Sequence, residues 1–197
     1  MLMDNKKPEL FLDFDGTIVN TRKRICEMYN EDFVWGGGKK ARWRKVDKYN
    51  FSDECPKLTR EVLSYYFKTP RFFDGLEFEE DAEHTINKLS SAYKIIVATL
   101  GELENLQLKE FMIVDNDLPI DEFIGIDSAI YKDKSHINMN DGLLTGDHSI
   151  FVDDCSNNLY NSNAEIKICY GGVHSWNMDW EKKRCYTWND IESYLNL

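Results

Sequence analysis

The sequence has no long apolar run. No segment approaches the roughly 20 apolar residues that cross a bilayer, and the N-terminal MLMDNKKPEL contains no apolar stretch typical of a secretory signal. Basic charge is also scarce, with 24 lysines and arginines against 35 aspartates and glutamates and a formal net charge of −11. A general nucleic-acid-binding surface needs a basic face, so we exclude that class and the membrane-bound class. A small phosphorylated ligand in a local pocket is compatible with this charge.

Metal-binding cysteine and histidine patterns are missing as well. The five cysteines are widely spaced without a CxxC pair, and the four histidines show no HxH or HxxxH spacing. A zinc site is therefore disfavoured. We expect free thiols in a reducing compartment and hence a cytoplasmic protein.

The chain is long enough for one domain, or for a core with one modest insertion, and its 197 residues are 42% hydrophobic. Near-continuous apolar runs alternate with segments of helical periodicity, which indicates a parallel sheet covered on both faces. We predict an α/β fold with a doubly wound, mostly parallel sheet flanked by helices. The predicted strands are 9–14, 94–99, 123–126, 149–154 and 166–170, and helices are predicted at 103–113 and 189–195.

Residues 21–74 change character and are predicted to form a small helical cap inserted after the first strand. The catalytic core would then comprise residues 1–20 and 75–197. One cap helix is expected to be capped by Ser52 or Asp53 and to stop before Pro70.

Three predicted strands end in polar residues on the same side of the sheet. The first ends in Asp13 and Asp15, the second in Thr99, and the third in Asp153 and Asp154. Ligands of open α/β sheets bind outside the carboxyl ends of the strands, so these side chains should converge. Four carboxylates in one crevice need a cation, and an all-oxygen ligand set suits Mg²⁺.

The motifs resemble, in order, those of the haloacid dehalogenase superfamily of phosphohydrolases: DFDGT, the strand ending in Thr99, Lys134, and the DD pair at 153–154. The segments FFDGLEFEEDAEHTINKL (72–89), KIIVAT, KDKSHI and IFVDDCSNNL are similar to the 5′(3′)-deoxyribonucleotidase family and its bacterial and phage relatives. The closing segments YGGVHSWN and RCYTWNDIESYL resemble the end of the same family.

The resemblance implies catalytic roles for two aspartates. Asp13 is expected to be the nucleophile that forms an aspartyl-phosphate, and Asp15 the general acid and then the base. Asp13, the backbone carbonyl of Asp15, Asp153 and Asp154 would hold Mg²⁺. Which member of the DD pair coordinates directly stays open.

The resemblance also implies a phosphate-binding set. Thr99 would bind phosphate, and Leu100, where related nucleotidases more often have a small polar residue, would contribute a backbone N–H. Lys132 and Lys134 are both candidates for the lysine, and we choose Lys134 because KSHI stands at the start of a predicted helix.

The cap is expected to select the substrate. Its aromatic side chains can stack on a nucleobase or form the core of the cap itself, and we predict a substrate pocket containing Phe33, Trp35 and Trp43, with Tyr49 and Phe51 as further candidates.

The leading hypothesis is a Mg²⁺-dependent phosphomonoesterase for nucleoside, in particular deoxyribonucleoside, 5′- or 3′-monophosphates. The alternatives are a phosphatase for another small phosphoester or a polynucleotide 3′-phosphate, and a non-catalytic nucleotide-binding module. The partner would be a small phosphorylated substrate, and the assembly to test first is a homodimer.

Overall fold

The computed structural model describes residues 7–139 and 149–195. Over these residues the chain forms six strands: β1 (Glu9–Leu12), β2 (Lys94–Gly101), β3 (Glu122–Asp127), β4 (Ile150–Asp153), β5 (Ile166–Tyr170) and β6 (Arg184–Cys185). Seven α-helices accompany them: α1 (Thr21–Phe33), α2 (Arg60–Phe67), α3 (Pro70–Asp74), α4 (Ala82–Leu89), α5 (Leu103–Asp115), α6 (Ser156–Asn161) and α7 (Trp188–Tyr194). A short 3₁₀-helix spans Trp43–Lys45.

The strands form one sheet in the order β3-β2-β1-β4-β5-β6. Each neighbouring pair in the described sheet is parallel, as predicted. The order reverses at β1, which pairs with β2 on one side and β4 on the other. A crevice forms at such a switch point, outside the carboxyl ends of the strands, and this doubly wound fold therefore directs the ends of β1 and β4 into one site.

Both faces of the sheet are covered, which explains the unbroken apolar runs in the sequence. Alternate residues of β1 enter different clusters: Leu10 and Leu12 pack on one face, and Phe11 packs on the other. All three are nearly or fully buried. Since successive side chains of a strand point to opposite faces, a strand buried on both sides must be apolar throughout.

The predicted start of the second cap helix is wrong. Neither Ser52 nor Asp53 caps it, and α2 instead begins at Arg60 with the Thr59 hydroxyl accepting from the Val62 N–H at 3.3 Å. Pro56 explains the delay, because the residue before a proline is disfavoured in the helical region.

Other short elements differ from the predictions. Helix α2 ends at Phe67, before Pro70, as predicted. Pro70 then opens the further short helix α3, where a first-turn proline loses no helical hydrogen bond. The helix expected from Lys134 does not form in the described residues, and 132–139 consists of bends and turns. The two-residue β6 and the six-residue α6 were too short for a periodicity signal.

The segment 21–74 is helical and packs directly on the sheet. Ile25 and Met28 of α1 and Phe72 of α3 belong to the same apolar cluster as Leu12 of β1. The division of the chain into a core and a cap at residues 20 and 75 stays a prediction. Within the described residues, no helix is long and apolar enough to cross a membrane.

The C-terminal helix anchors the loop that follows β1. Trp188, the first residue of α7, is fully buried, and its indole N–H donates to the Thr17 carbonyl at 3.0 Å. A capping box between Thr187 and Asp190 fixes the start of this helix. The loop that carries the DFDGT motif is therefore held from the far end of the sequence.

Candidate active site

The loop after β1 brings the first aspartate pair against β4. The Asp13 N–H donates to the Val152 carbonyl at 2.9 Å, which continues the parallel pairing one residue beyond the strand. Gly16 follows with φ +71°, a conformation that glycine adopts without strain. A Cβ at Gly16 would lie 2.6 Å from Oδ2 of Asp154. Both the turn and the close approach therefore require glycine.

A buried lysine joins the two strand ends. Nζ of Lys134 lies 2.6 Å from Oδ1 of Asp13 and 2.6 Å from Oδ2 of Asp153, and only 1% of the Lys134 residue surface is exposed. Burial alone would lower the pKa of Lys134, but attraction to Asp13 and Asp153 leaves that pKa raised. Lys134 is therefore a fixed positive charge between two carboxylates.

Asp153 is surrounded by hydrogen-bond donors. Besides Lys134, its carboxylate accepts from the Cys155 N–H at 2.8 Å and from the Asn158 amide at 3.0 and 3.2 Å. Both oxygens are thus engaged by the protein.

Asp154 is less fully engaged and faces the cavity. Its Oδ2 accepts from the indole N–H of Trp176 at 3.1 Å, and the residue lines the cavity together with Asp13. Burial, followed by repulsion from Asp153 and Asp13, raises the pKa of Asp154 well above its usual range. This carboxyl would be stabilised as an anion by a nearby cation.

The acidic cluster fits a divalent cation. Carboxylate oxygens of Asp13, Asp153 and Asp154 all lie within 4.8 Å of one another. Burial raises the pKa of Asp13 to about 7 against the attraction of Lys134, and the neighbouring aspartates add to the rise. Lys134 offsets only part of the negative charge of this cluster, and hard carboxylate oxygens are the ligands that Mg²⁺ prefers.

Asp15 is held by two donors on the other side of the loop. Its Oδ1 accepts from the Thr21 hydroxyl at 2.8 Å, and its Oδ2 lies 2.5 Å from Nζ of Lys109. Lys109 also donates to the Thr99 hydroxyl oxygen at 2.9 Å and to the Leu100 carbonyl at 3.1 Å. The ends of β1 and β2 therefore share one buried ammonium group.

A cavity of about 700 Å³ opens onto these groups. Its wall includes Asp13, Asp15, Leu100 and Lys134, while Thr99 is fully buried and is not part of the wall. Four aromatic and four basic side chains also line it: Tyr49, Phe51, Phe67, Trp176, Arg22, Arg60, Lys68 and Lys132. The volume lies in the range of small-molecule binding sites.

The predicted substrate-pocket residues Phe33, Trp35 and Trp43 do not line this cavity. Phe33 stacks on Tyr29 with ring centroids 5.2 Å apart, and it packs with Trp43 against the apolar core. Trp35 is 78% exposed in the glycine-rich loop after α1. Helix α1 directs its last aromatic residue into the core, and Tyr49 and Phe51, the further candidates, reach the cavity instead.

Sequence reasoning missed two residues of the site, Lys109 and Trp176. Lys109 lies on the buried side of α5 together with Asn105, Leu106, Met112 and Ile113. A lysine on an otherwise mainly apolar helical stripe was a readable signal. Trp176 had no such signal, because only the folded chain brings the loop after β5 to Asp154.

We expect Gly16→Ala to impair both stability and activity. The added Cβ forces Asp154 to move, and a shift near 1 Å at a reacting group costs on the order of 100-fold in rate. Gly36→Ala is the matched control, because Gly36 has φ +62° with no atom within 4 Å of the added Cβ. Both variants should lose about 1–2 kcal/mol of stability to the left-handed conformation, but only Gly16→Ala should lose activity. Equal activities would refute the close-approach argument.

The metal-free protein should lose stability as the pH rises from about 4 to 7. Asp13 has a pKa of about 7 when folded and 3.8 as the reference, so the folded state binds more protons than the unfolded chain in this interval. The stabilisation from protonated Asp13 is complete below the pKa of Asp13 in the unfolded chain. It is lost as the pH rises through the pKa of Asp13 in the folded protein. In EDTA, the free energy of unfolding of the wild-type protein minus that of Asp13→Asn should fall by up to about 4 kcal/mol as the pH rises over this interval.

Urea denaturation at several pH values measures this difference. Mg²⁺ should diminish it, because the cation stabilises the Asp13 anion. A pH-independent difference between the two proteins in EDTA would contradict the prediction.

Comparison with solved structures identifies the same architecture in proteins described as hydrolases or predicted phosphatases. A haloacid dehalogenase-like family hydrolase from Streptococcus pneumoniae is 13% identical, with a TM-score of 0.62 over 96% of this chain and 99% of that chain. A predicted phosphatase from Clostridium acetobutylicum is also 13% identical, with a TM-score of 0.62 over 98% and 100%. A HAD-hydrolase from Bacillus subtilis that binds magnesium is 12% identical, with a TM-score of 0.59 over 98% and 100%. These likenesses establish the fold.

The sequence supplies the family. A search of curated proteins gives no significant match. A sequence model of the family described as 5′ nucleotidase, deoxy (pyrimidine), cytosolic type C protein matches residues 7–196. The match covers nearly the whole chain, including both aspartate pairs and Lys134. The chain therefore belongs to this nucleotidase family, has the fold of the haloacid dehalogenase-like hydrolase above, and is a phosphatase-type enzyme.

Proposed function

We propose that this enzyme is a Mg²⁺-dependent nucleotidase that hydrolyses deoxyribonucleoside monophosphates through an aspartyl-phosphate on Asp13. The observation that carries the proposal is the setting of Asp13 at the carboxyl end of β1. Nζ of Lys134 lies 2.6 Å from Oδ1 of Asp13, and Asp13 lines the cavity together with Asp15. The second oxygen, Oδ2, is the atom assigned to attack.

In the first step, Oδ2 of Asp13 forms a bond to phosphorus while the ester P–O bond breaks. Asp15 donates a proton to the departing alkoxide, which is a poor leaving group without it. Lys134 offsets the charge repulsion between the carboxylate and the phosphate dianion. The backbone N–H of Leu100, at the cavity wall, is proposed to bind a phosphate oxygen, whereas Thr99 would act from behind that wall.

In the second step, water attacks the phosphorus of the aspartyl-phosphate. Asp15, now ionised, accepts the proton of that water, and the P–O bond to Asp13 breaks. Inorganic phosphate leaves, and both aspartates return to their starting states.

Asp13 and Asp154 would hold Mg²⁺ directly, together with the Asp15 carbonyl. The cation supplies charge neutralisation for the phosphoryl group. We assign Asp153 to the support of this site, since its oxygens already accept from Lys134, Cys155 and Asn158. The contacts of Asp153 favour Asp154 as the member of the pair that binds the cation directly.

The residues that line the cavity favour a nucleotide, and not a smaller phosphoester, as the substrate. The aromatic wall of the cavity offers surfaces for a base, and Arg22, Arg60 and Lys132 add positive charge in an acidic protein. The description of the matching family, a deoxy (pyrimidine) 5′ nucleotidase, supports a deoxyribose and a pyrimidine base. In this proposal, segment 21–74 acts as the cap, since it supplies Tyr49, Phe51 and Phe67.

We also propose a cytoplasmic location, in line with five cysteines that are free thiols. A homodimer stays a proposal, and its test is the oligomeric state in solution by light scattering.

Asp13→Asn should abolish turnover and leave the protein folded. An amide is too weak a nucleophile to form the acyl-phosphate, and loss of a nucleophile costs about 10⁶-fold in comparable enzymes. Phosphate release from dUMP and dTMP measures this, with circular dichroism as the check of folding. Asp115→Asn, at the exposed end of α5, is the control and should retain full activity. Substantial turnover by Asp13→Asn would refute the covalent mechanism.

The same assay on 3′-UMP, sugar phosphates and 3′-phosphorylated oligonucleotides identifies the substrate class. Nucleoside monophosphates should be hydrolysed with the highest kcat/KM. A preference for the oligonucleotide would favour the polynucleotide alternative. Binding of a nucleotide without phosphate release from any of these compounds would favour the non-catalytic module.

Tyr49→Ala should raise KM for a deoxyribonucleoside monophosphate. Tyr49 is 71% exposed at the cavity, with its ring edge-on to Trp176 at 6.1 Å. Stacking on a base contributes about 1–3 kcal/mol, which corresponds to a roughly 5- to 150-fold rise in KM. KM for glycerol phosphate, which has no base, should stay unchanged. Trp35→Ala, which removes an aromatic ring away from the cavity, is the control, and equal effects of both variants would contradict base stacking by Tyr49.

A further inference from the structure

Lys109 is a buried charge that the proposed reaction does not yet use. It lies in the middle of α5, and 1% of its surface is exposed. Lysine is rarely buried to this degree unless it is paired, because the ammonium loses its hydration. Its position therefore calls for a specific reason.

The ammonium group of Lys109 has a full set of oxygen partners. Nζ lies 2.5 Å from Oδ2 of Asp15, 2.9 Å from Oγ1 of Thr99 and 3.1 Å from the carbonyl oxygen of Leu100. Three acceptors match the three hydrogens of a lysine ammonium. Its orientation is therefore fixed by residues from β2 and from the loop that follows β1.

Lys109 stands behind the cavity wall. Asp15 and Leu100 line the cavity, whereas Lys109 is not among the lining residues. A bound substrate would consequently meet the two partners and not the lysine itself. Any effect of Lys109 on the reaction must act through them.

The carboxylate of Asp15 is contacted by donors from two directions. Thr21, at the start of α1, donates to Oδ1 at 2.8 Å, and Lys109, on α5, engages Oδ2. Two donors on different helices fix both the rotation and the plane of the carboxylate. Proton transfer depends on such placement, because the donor must reach the leaving oxygen within hydrogen-bond distance.

We propose that Lys109 is a positioning residue that holds Asp15 in the orientation for proton transfer to the leaving group. The inference rests on the proposed function, in which Asp15 is the general acid. Lys109 also accounts for the buried hydroxyl of Thr99. Since Oγ1 of Thr99 accepts from Lys109, the hydroxyl hydrogen remains available to donate.

The leaving group distinguishes this role from a structural one. A nucleoside alkoxide needs a proton as it departs, whereas p-nitrophenolate is stable as an anion and departs without one. Misplacement of Asp15 should therefore slow nucleotide hydrolysis much more than p-nitrophenyl phosphate hydrolysis. The parameter to compare is kcat/KM, which covers the steps up to the first irreversible step and so includes leaving-group departure.

The experiment compares Lys109→Met with the wild-type enzyme on dTMP and p-nitrophenyl phosphate. General acid catalysis contributes about 10²- to 10⁴-fold, so we expect at least a roughly 10-fold larger loss of kcat/KM on dTMP than on the aryl ester. Lys88→Met is the matched control, because it removes a lysine that pairs with Glu192 at 2.8 Å on the surface. This control should leave both activities unchanged.

A double-mutant cycle tests whether Lys109 acts through Asp15. In the Asp15→Asn background the acid is absent, so Lys109→Met should cause little further loss on dTMP. If Lys109 only supports the fold, the two losses should multiply and should be equal on both substrates. Either of those results would overturn the proposal.

Circular dichroism of the variants and dTMP hydrolysis by the wild-type enzyme are measured alongside the comparison. If Lys109→Met does not fold by circular dichroism, Lys109→Gln carries the same comparison, because its neutral amide is compatible with the polar partners. Failure of the proposed function gives a different result, in which the wild-type enzyme itself does not hydrolyse dTMP. The role of Lys109 alone would be overturned by a different combination of results. In that case the wild-type enzyme hydrolyses dTMP and Asp15→Asn loses more activity on dTMP than on p-nitrophenyl phosphate, but the Lys109 variants show no such difference.

Discussion

Charge compensation at the carboxyl ends of β1, β2 and β4 is the constraint on which the site depends. Four carboxylates lie close together there, and burial raises the pKa of two of them, Asp13 and Asp154. Two lysines from different parts of the chain, Lys134 and Lys109, each join two strand ends there. Two negative charges remain after these pairings, and a divalent cation would neutralise them. Buried charges that are paired in this way contribute more to geometry than to net stability.

The elements around the site are arranged so that each charged group has one position. Gly16 allows Asp154 to approach the turn after β1, and the indole N–H of Trp176 donates to the same carboxylate. Trp176 in turn stacks on His174, with ring centroids 4.5 Å apart. Burial, together with the nearby Arg22, lowers the pKa of His174 to about 4, so the imidazole is neutral at physiological pH. Trp176, a residue of the cavity wall, therefore also holds a carboxylate of the acidic cluster in place.

The sheet and the acidic cluster were accessible from sequence for a local reason. Strands buried on both faces require unbroken apolar runs, and polar residues at the ends of such runs are conspicuous. The start of α2 was not predicted correctly, because Pro56 and Thr59, which lie three and six residues beyond Asp53, decide where that helix begins. The same reasoning failed for β6 and α6 because two to six residues carry too little periodicity.

Residue types and their positions along single strands were enough to predict the fold class, the reaction class and the residues that carry charge. Tertiary structure alone decided which aromatic side chains surround the cavity and which lysines meet which aspartates. Phe33 and Tyr49 are both aromatic residues of segment 21–74, yet only Tyr49 reaches the cavity. The difference arises because a side chain's surroundings depend on how distant segments pack, and that information is absent from local spacing.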